Sequence, residues 1–128
     1  MPPTPYELTV EDRLKYLHCR IRARYVDVEM ATRYINEMMA EVRRGGHDRV
    51  LFVREIQGVM TATHLAIITS VIANMLPPEV RFAVVDASDA FETIRKCIDR
   101  EAEQKRRQMS IFQSEREAES WLLSGDSA

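Results

Sequence analysis

The sequence predicts a single-domain α/β fold with a mixed, mostly parallel sheet of about five strands and four helices, in the order ββαβαβαβα. Three observations carry this reading. Apolar runs of strand length alternate with stretches of helical period. Glycine, proline and capping residues separate them. The last three strands are each reached through a helix, the crossover that parallel pairing requires. A length of 128 residues fits one domain, 1–128, with 1–5 and 125–128 expected to be disordered.

Tyr6 to Val10 and Leu14 to Ala23 read as an antiparallel hairpin around the polar turn Glu11-Asp12-Arg13. In the second strand Leu17, Cys19 and Ile21 alternate with His18, Arg20 and Arg22, which predicts one core face and one face turned to water. Asp27 is placed to cap the first helix, whose stripe is Val28, Ala31, Ile35, Met38 and Val42, and Gly45-Gly46 ends it. The unbroken run Val50 to Val53 reads as a central strand covered on both faces.

Thr61 to Leu76 reads as a second helix, stopped by Pro77-Pro78. Val80 to Val85 makes the fourth strand. Asp89 and Glu92 are a capping pair for a third helix with inner stripe Phe91, Ile94, Cys97 and Ile98. Met109 to Phe112 is a short last strand. Ser114 and Glu117 form an S-x-x-E capping box for the final helix, which carries Ala118, Trp121 and Leu122 at helical spacing.

Apolar residues make up 45% of the chain and charged residues 30%, as in soluble globular proteins. Eighteen basic and twenty acidic residues leave a net charge of −2, so no overall field recruits nucleic acid or an anionic membrane. Cys19 and Cys97 match no metal or redox spacing and are expected to be free thiols. The opening MPPTPYELTV lacks the pattern of a secretory signal, which leads to the expectation of a reducing, cytoplasmic location.

The element order, Arg81-Phe82-Ala83-Val84-Val85 as fourth strand, and Phe112 followed by Glu117-Ala118-Glu119-Ser120-Trp121-Leu122 resemble the SpoIIAA-like family of bacterial STAS and SEC14-like domains. The resemblance spans nearly the whole chain. It implies a STAS/SpoIIAA-like fold with helices packed mainly on one side of the sheet, no enzymatic activity and no cofactor. It also implies one of two roles: regulation through a protein partner, or a SEC14-like carrier of a lipid or other small apolar ligand. In the regulatory relatives a phosphorylatable Ser begins the helix after the third strand. Here that stretch is Arg54-Glu55-Ile56-Gln57-Gly58-Val59-Met60-Thr61, without the Ser. Thr61 and Thr63 are the candidate phosphoacceptors, since a phosphate there meets unpaired N–H groups and the helix dipole. The plainer reading makes one of them an N-cap.

The candidate binding surface, for an interaction or a ligand, comprises Arg54, Gln57, Gly58, Thr61, Thr63, His64 and Ile67. From Gln57 to Pro78 there is no Asp, Glu, Lys or Arg. A helix apolar over more than one face is a core helix between neighbours, a homodimer or partner surface, or the wall of a lipid pocket. It is too short to span a bilayer.

Arg20, Arg22 and Arg24 alternate in a row that suits phosphate or an acidic partner, although a solvated sheet edge explains it more simply. Lys105-Arg106-Arg107 closes a helix where the dipole favours cations. Neither cluster is interleaved with aromatics, which disfavours nucleic acid. His18, His47 and His64 stand isolated, which argues against a metal site. No nucleophile motif or phosphate-binding glycine loop is present, so no catalytic residue is assigned. Phe112 and Trp121 are expected to be structural anchors of the last helix.

Overall fold

In the computed structural model, which describes residues 6–124, nine elements follow the expected order. They are β1 (Tyr6–Asp12), β2 (Leu17–Ala23), α1 (Val28–Gly45), β3 (Arg49–Ile56), α2 (Ala62–Met75), β4 (Arg81–Val85), α3 (Phe91–Lys105), β5 (Gln108–Phe112) and α4 (Glu115–Ser124). The ends 1–5 and 125–128 lie outside the described residues.

The sheet runs in sequence order, β1-β2-β3-β4-β5, with β1 antiparallel to β2 and the other neighbours parallel. Every crossover therefore steps the same way across the sheet, and right-handed connections then place the crossover helices on one face. That face holds the main core, in which Tyr34, Phe52 and Phe82 have no exposed surface and lie in a row of ring contacts. The other face is covered by α4 over a smaller cluster of Tyr16, Leu51, Val53, Ala83, Val85, Ala118 and Leu122. Because β3 has apolar neighbours on both sides, its run Val50 to Val53 is buried throughout.

Caps form where short polar side chains precede the helices. Asp27 Oδ1 accepts from the Met30 N–H at 2.8 Å, and Gly46 closes α1 with φ +65°, a left-handed conformation that costs glycine little. Ser114 accepts from the Glu117 N–H at 3.3 Å, the serine half of the expected box. The expected Asp89–Glu92 pair does not cap α3. Its N-cap is Ala90, whose N–H is bonded by the Ser88 hydroxyl at 3.2 Å, because Asp86 draws Ser88 back toward the end of β4.

The hairpin also departs from expectation. β1 continues to Asp12 and β2 begins at Leu17, so the turn lies between them. Leu14 sits at its tip with φ +67° and 95% exposed, held by its N–H bond to Asp12 Oδ1. The polar face of β2 is not simply turned to water either. His18 is 4% exposed, since α4 crosses that face and brings Glu115 to it. β2 is an interior strand, so its arginines are not a solvated edge.

Candidate functional site

Parallel strands end together, and here the carboxyl ends of β2, β3 and β4 meet the start of β1 at one edge of the sheet. Such an edge is where open α/β sheets bind ligands. It carries an open groove of about 1070 Å³ whose walls include Arg22, Arg24, Tyr25, Arg54, Gln57 and Ser88.

The β3–α2 loop forms one wall and is pinned at three points. The Gln57 N–H donates to the Ala23 carbonyl at 3.0 Å. Gly58 lies so close to the β2–α1 connection that a Cβ there would stand 2.8 Å from the Arg24 carbonyl oxygen. Thr61 caps α2, its hydroxyl accepting from the His64 N–H at 3.1 Å. Between these points Val59 is fully exposed, and Tyr25 beside Gly58 is 63% exposed. A loop anchored at these points thus presents the Val59 side chain to solvent.

At the floor of the groove, the Arg54 guanidinium donates to Asp86 across the ends of β3 and β4. Their side chains are only 8% and 3% exposed. Asp86 Oδ1 also accepts from the Ser88 N–H at 2.7 Å and from its hydroxyl, so the same carboxylate sets the start of α3. On its inner side Arg54 borders a cavity of about 20 Å³, with Tyr34, Thr69, Leu65 and Ile72 in its walls. That volume suits one water and no acyl chain. The Tyr34 hydroxyl is buried there beside Arg54, and burial raises its pKa against the opposing pull of that guanidinium.

The arginine row is largely neutralised within the chain. Glu55 takes Arg20 on one oxygen and Arg22 on the other, each at 2.7 Å. Glu115 takes His18 and Arg20, each at 2.8 Å. The Arg24 guanidinium alone of the row has no partner among the described residues. Glu7, Glu55 and Asp86 offset Arg22, Arg24 and Arg54 around the groove, so it offers shape and directed hydrogen bonds and no net anion-attracting charge.

Of the candidate binding residues, Arg54 and Gln57 line this groove and Gly58 supports its wall. Thr61 is the N-cap, with its oxygen already engaged. Thr63, His64 and Ile67 are exposed along α2, and Ile67 faces outward at 42% exposure. Phe112 and Trp121 stack at 5.7 Å between ring centroids, and the Arg81 guanidinium lies 4.1 Å over the indole. The fully buried positions of α4 are Ala118 and Leu122, while Trp121 is half-buried.

Sequence reasoning missed Asp86, Tyr34 and Glu115. A polar residue directly after the apolar run of β4 is the one signal that marked Asp86; the ring contacts of Tyr34 and the hydrogen bonds of Glu115 come from distant segments, and neither residue had a signal. Both cysteines are free thiols, and burial pushes Cys19 up to about 12 and raises Cys97, so neither is a ready nucleophile at neutral pH. Among the described residues no group of three or more His, Cys, Asp or Glu is placed to hold a metal ion, and no helix is long and apolar enough to cross a membrane. No family model matches the chain, and no curated protein matches it with significance.

Proposed function

We propose that this chain is a non-enzymatic, regulatory protein-interaction domain of the SpoIIAA-like, STAS kind, working in the cytoplasm. It presents the β3–α2 loop and the adjoining groove to a partner protein. The observation that carries this reading is Val59, fully exposed on a loop fixed on both sides by Gly58 and Thr61. A buried apolar anchor surrounded by polar contacts is the usual centre of a protein interface. Tyr25, Gln57 and Arg24 supply that surround.

The SEC14-like carrier is the weaker reading, because the cavity beside α2 has room for one water. A lipid requires α2 to move away from Phe52 and Ile98.

The two readings separate by experiment. Affinity capture with the intact protein should recover a partner that Val59→Asp no longer recovers, with the melting temperature unchanged. Native mass spectrometry of the purified protein should then show no lipid mass. An identical set of captured proteins from wild type and Val59→Asp would remove the loop from the interface, and a retained lipid would favour the carrier.

A further inference from the structure

Three polar side chains from three different elements border the cavity of about 20 Å³ in the main core: Tyr34 of α1, Arg54 near the end of β3 and Thr69 of α2. The rest of its wall is apolar, with Phe52 and Ile72 among it. Tyr34 has no exposed surface, Thr69 is buried, and the Arg54 side chain is 8% exposed. Bulk water does not serve these groups.

Their hydrogen-bonding capacities do not close among themselves. The Thr69 hydroxyl gives its proton to the Leu65 carbonyl at 2.8 Å, which leaves its oxygen as an acceptor only. Arg54 has donors and no acceptor. The Tyr34 proton therefore has a single side-chain oxygen in the wall to go to, that of Thr69. The two hydroxyls are not directly hydrogen-bonded to each other.

We infer that the cavity is the site of one ordered water, which accepts from the Tyr34 hydroxyl and from an Arg54 N–H and donates to Thr69 Oγ1. The volume exceeds the roughly 10–15 Å³ that a buried water needs, and three partners lie within the usual two to four. Only a species that both accepts and donates meets all three groups. A cation there would face the Arg54 guanidinium with no carboxylate in the wall, and an apolar atom would leave the tyrosyl proton unpaired. Asp86 takes one N–H of Arg54, and the water takes another. The water thus fixes the guanidinium at the floor of the groove from α1 and α2, while Asp86 fixes it from the end of β4. This holds whatever partner the groove receives.

Water magnetic relaxation dispersion on the full chain counts long-lived internal waters, and a crystal structure locates them. Tyr34→Phe and Thr69→Val, with circular dichroism unchanged, should each lose one long-lived water relative to wild type. Thr69→Ser, which keeps the oxygen, should retain it. Should Thr69→Val fail to fold, Tyr34→Phe gives the same reading. In crystals of the wild type the water should lie about 2.7–3.2 Å from Tyr34 Oη, Thr69 Oγ1 and an Arg54 nitrogen. A dry cavity, a direct bond between Tyr34 and Thr69, or an unchanged count in either folded variant would overturn the inference.

Discussion

Arg54 and Asp86, from the ends of adjacent parallel strands, form a buried ion pair, and Arg54 borders both the open groove and the core cavity. Removing one partner leaves an uncompensated buried charge, so Arg54→Met or Asp86→Ala is expected to cost about 3–5 kcal/mol. Asp86→Ala should be the worse of the two, because Ser88 loses its acceptor and α3 its ordered start. Denaturant unfolding of both single variants and of the double variant measures the coupling. A double variant as unstable as the sum of the singles would show that the pair does not act as a unit.

Gly58→Ala places a methyl group 2.8 Å from a backbone oxygen, and neither backbone can yield without moving the loop. Overpacking of this kind costs about 1–3 kcal/mol. Hydrogen exchange at the Gln57 amide, bonded to Ala23, should quicken at the same time. An amide as protected as in wild type would mean that the loop is not pinned by this contact.

Leu122→Ala should destabilise more than Trp121→Ala, contrary to what side-chain size suggests. Leu122 is fully buried, and such truncations cost about 2–5 kcal/mol. Half-buried Trp121 chiefly loses its pairing with Phe112, about 0.5–1.5 kcal/mol, and the Arg81 contact, about 0.5–1 kcal/mol. Thermal melts of the two variants give the order directly; the reverse order would make the indole the true anchor of α4.

The docking of α4 should weaken in acid. Burial alone would raise the Glu115 carboxyl, but the His18 hydrogen bond and the Arg20 charge outweigh it and hold the group below its usual 4.5. The folded value lies under the unfolded one, so this contribution is complete above about pH 4.5 and is lost as pH falls through the lower folded value. Trp121 fluorescence followed down that range should report loosening of α4, and Glu115→Gln should already show it near neutrality. An identical profile for the variant would exclude Glu115 as the source.

Thr61→Ala removes the α2 cap and should cost about 1 kcal/mol, whereas Thr63→Ala, at an exposed position inside the first turn, should cost little. Chemical denaturation distinguishes them. Equal effects would show that the Thr61 hydroxyl contributes nothing beyond its neighbour.

The sequence by itself determined the order of elements, the central place of Val50 to Val53, and the ends of α1 and α2, because periodicity, glycine and short polar caps act within a few residues. It also marked the stretch Arg54 to Thr61, of which the structure places Arg54 to Ile56 at the end of β3, and the uncharged α2. Only the tertiary structure decided that His18 is buried, that Arg20 and Arg22 share Glu55, and that Arg54 meets Asp86. Those partners lie 32 or more residues apart in the chain. Local pattern assigned the polar face of β2 to water, since alternation records that one face differs from the other and cannot register a helix that arrives from the far end of the chain. The same limit hid the rigidity of the loop: the glycine is visible at position 58, but the Arg24 carbonyl that requires it comes close only when β2 and β3 lie side by side.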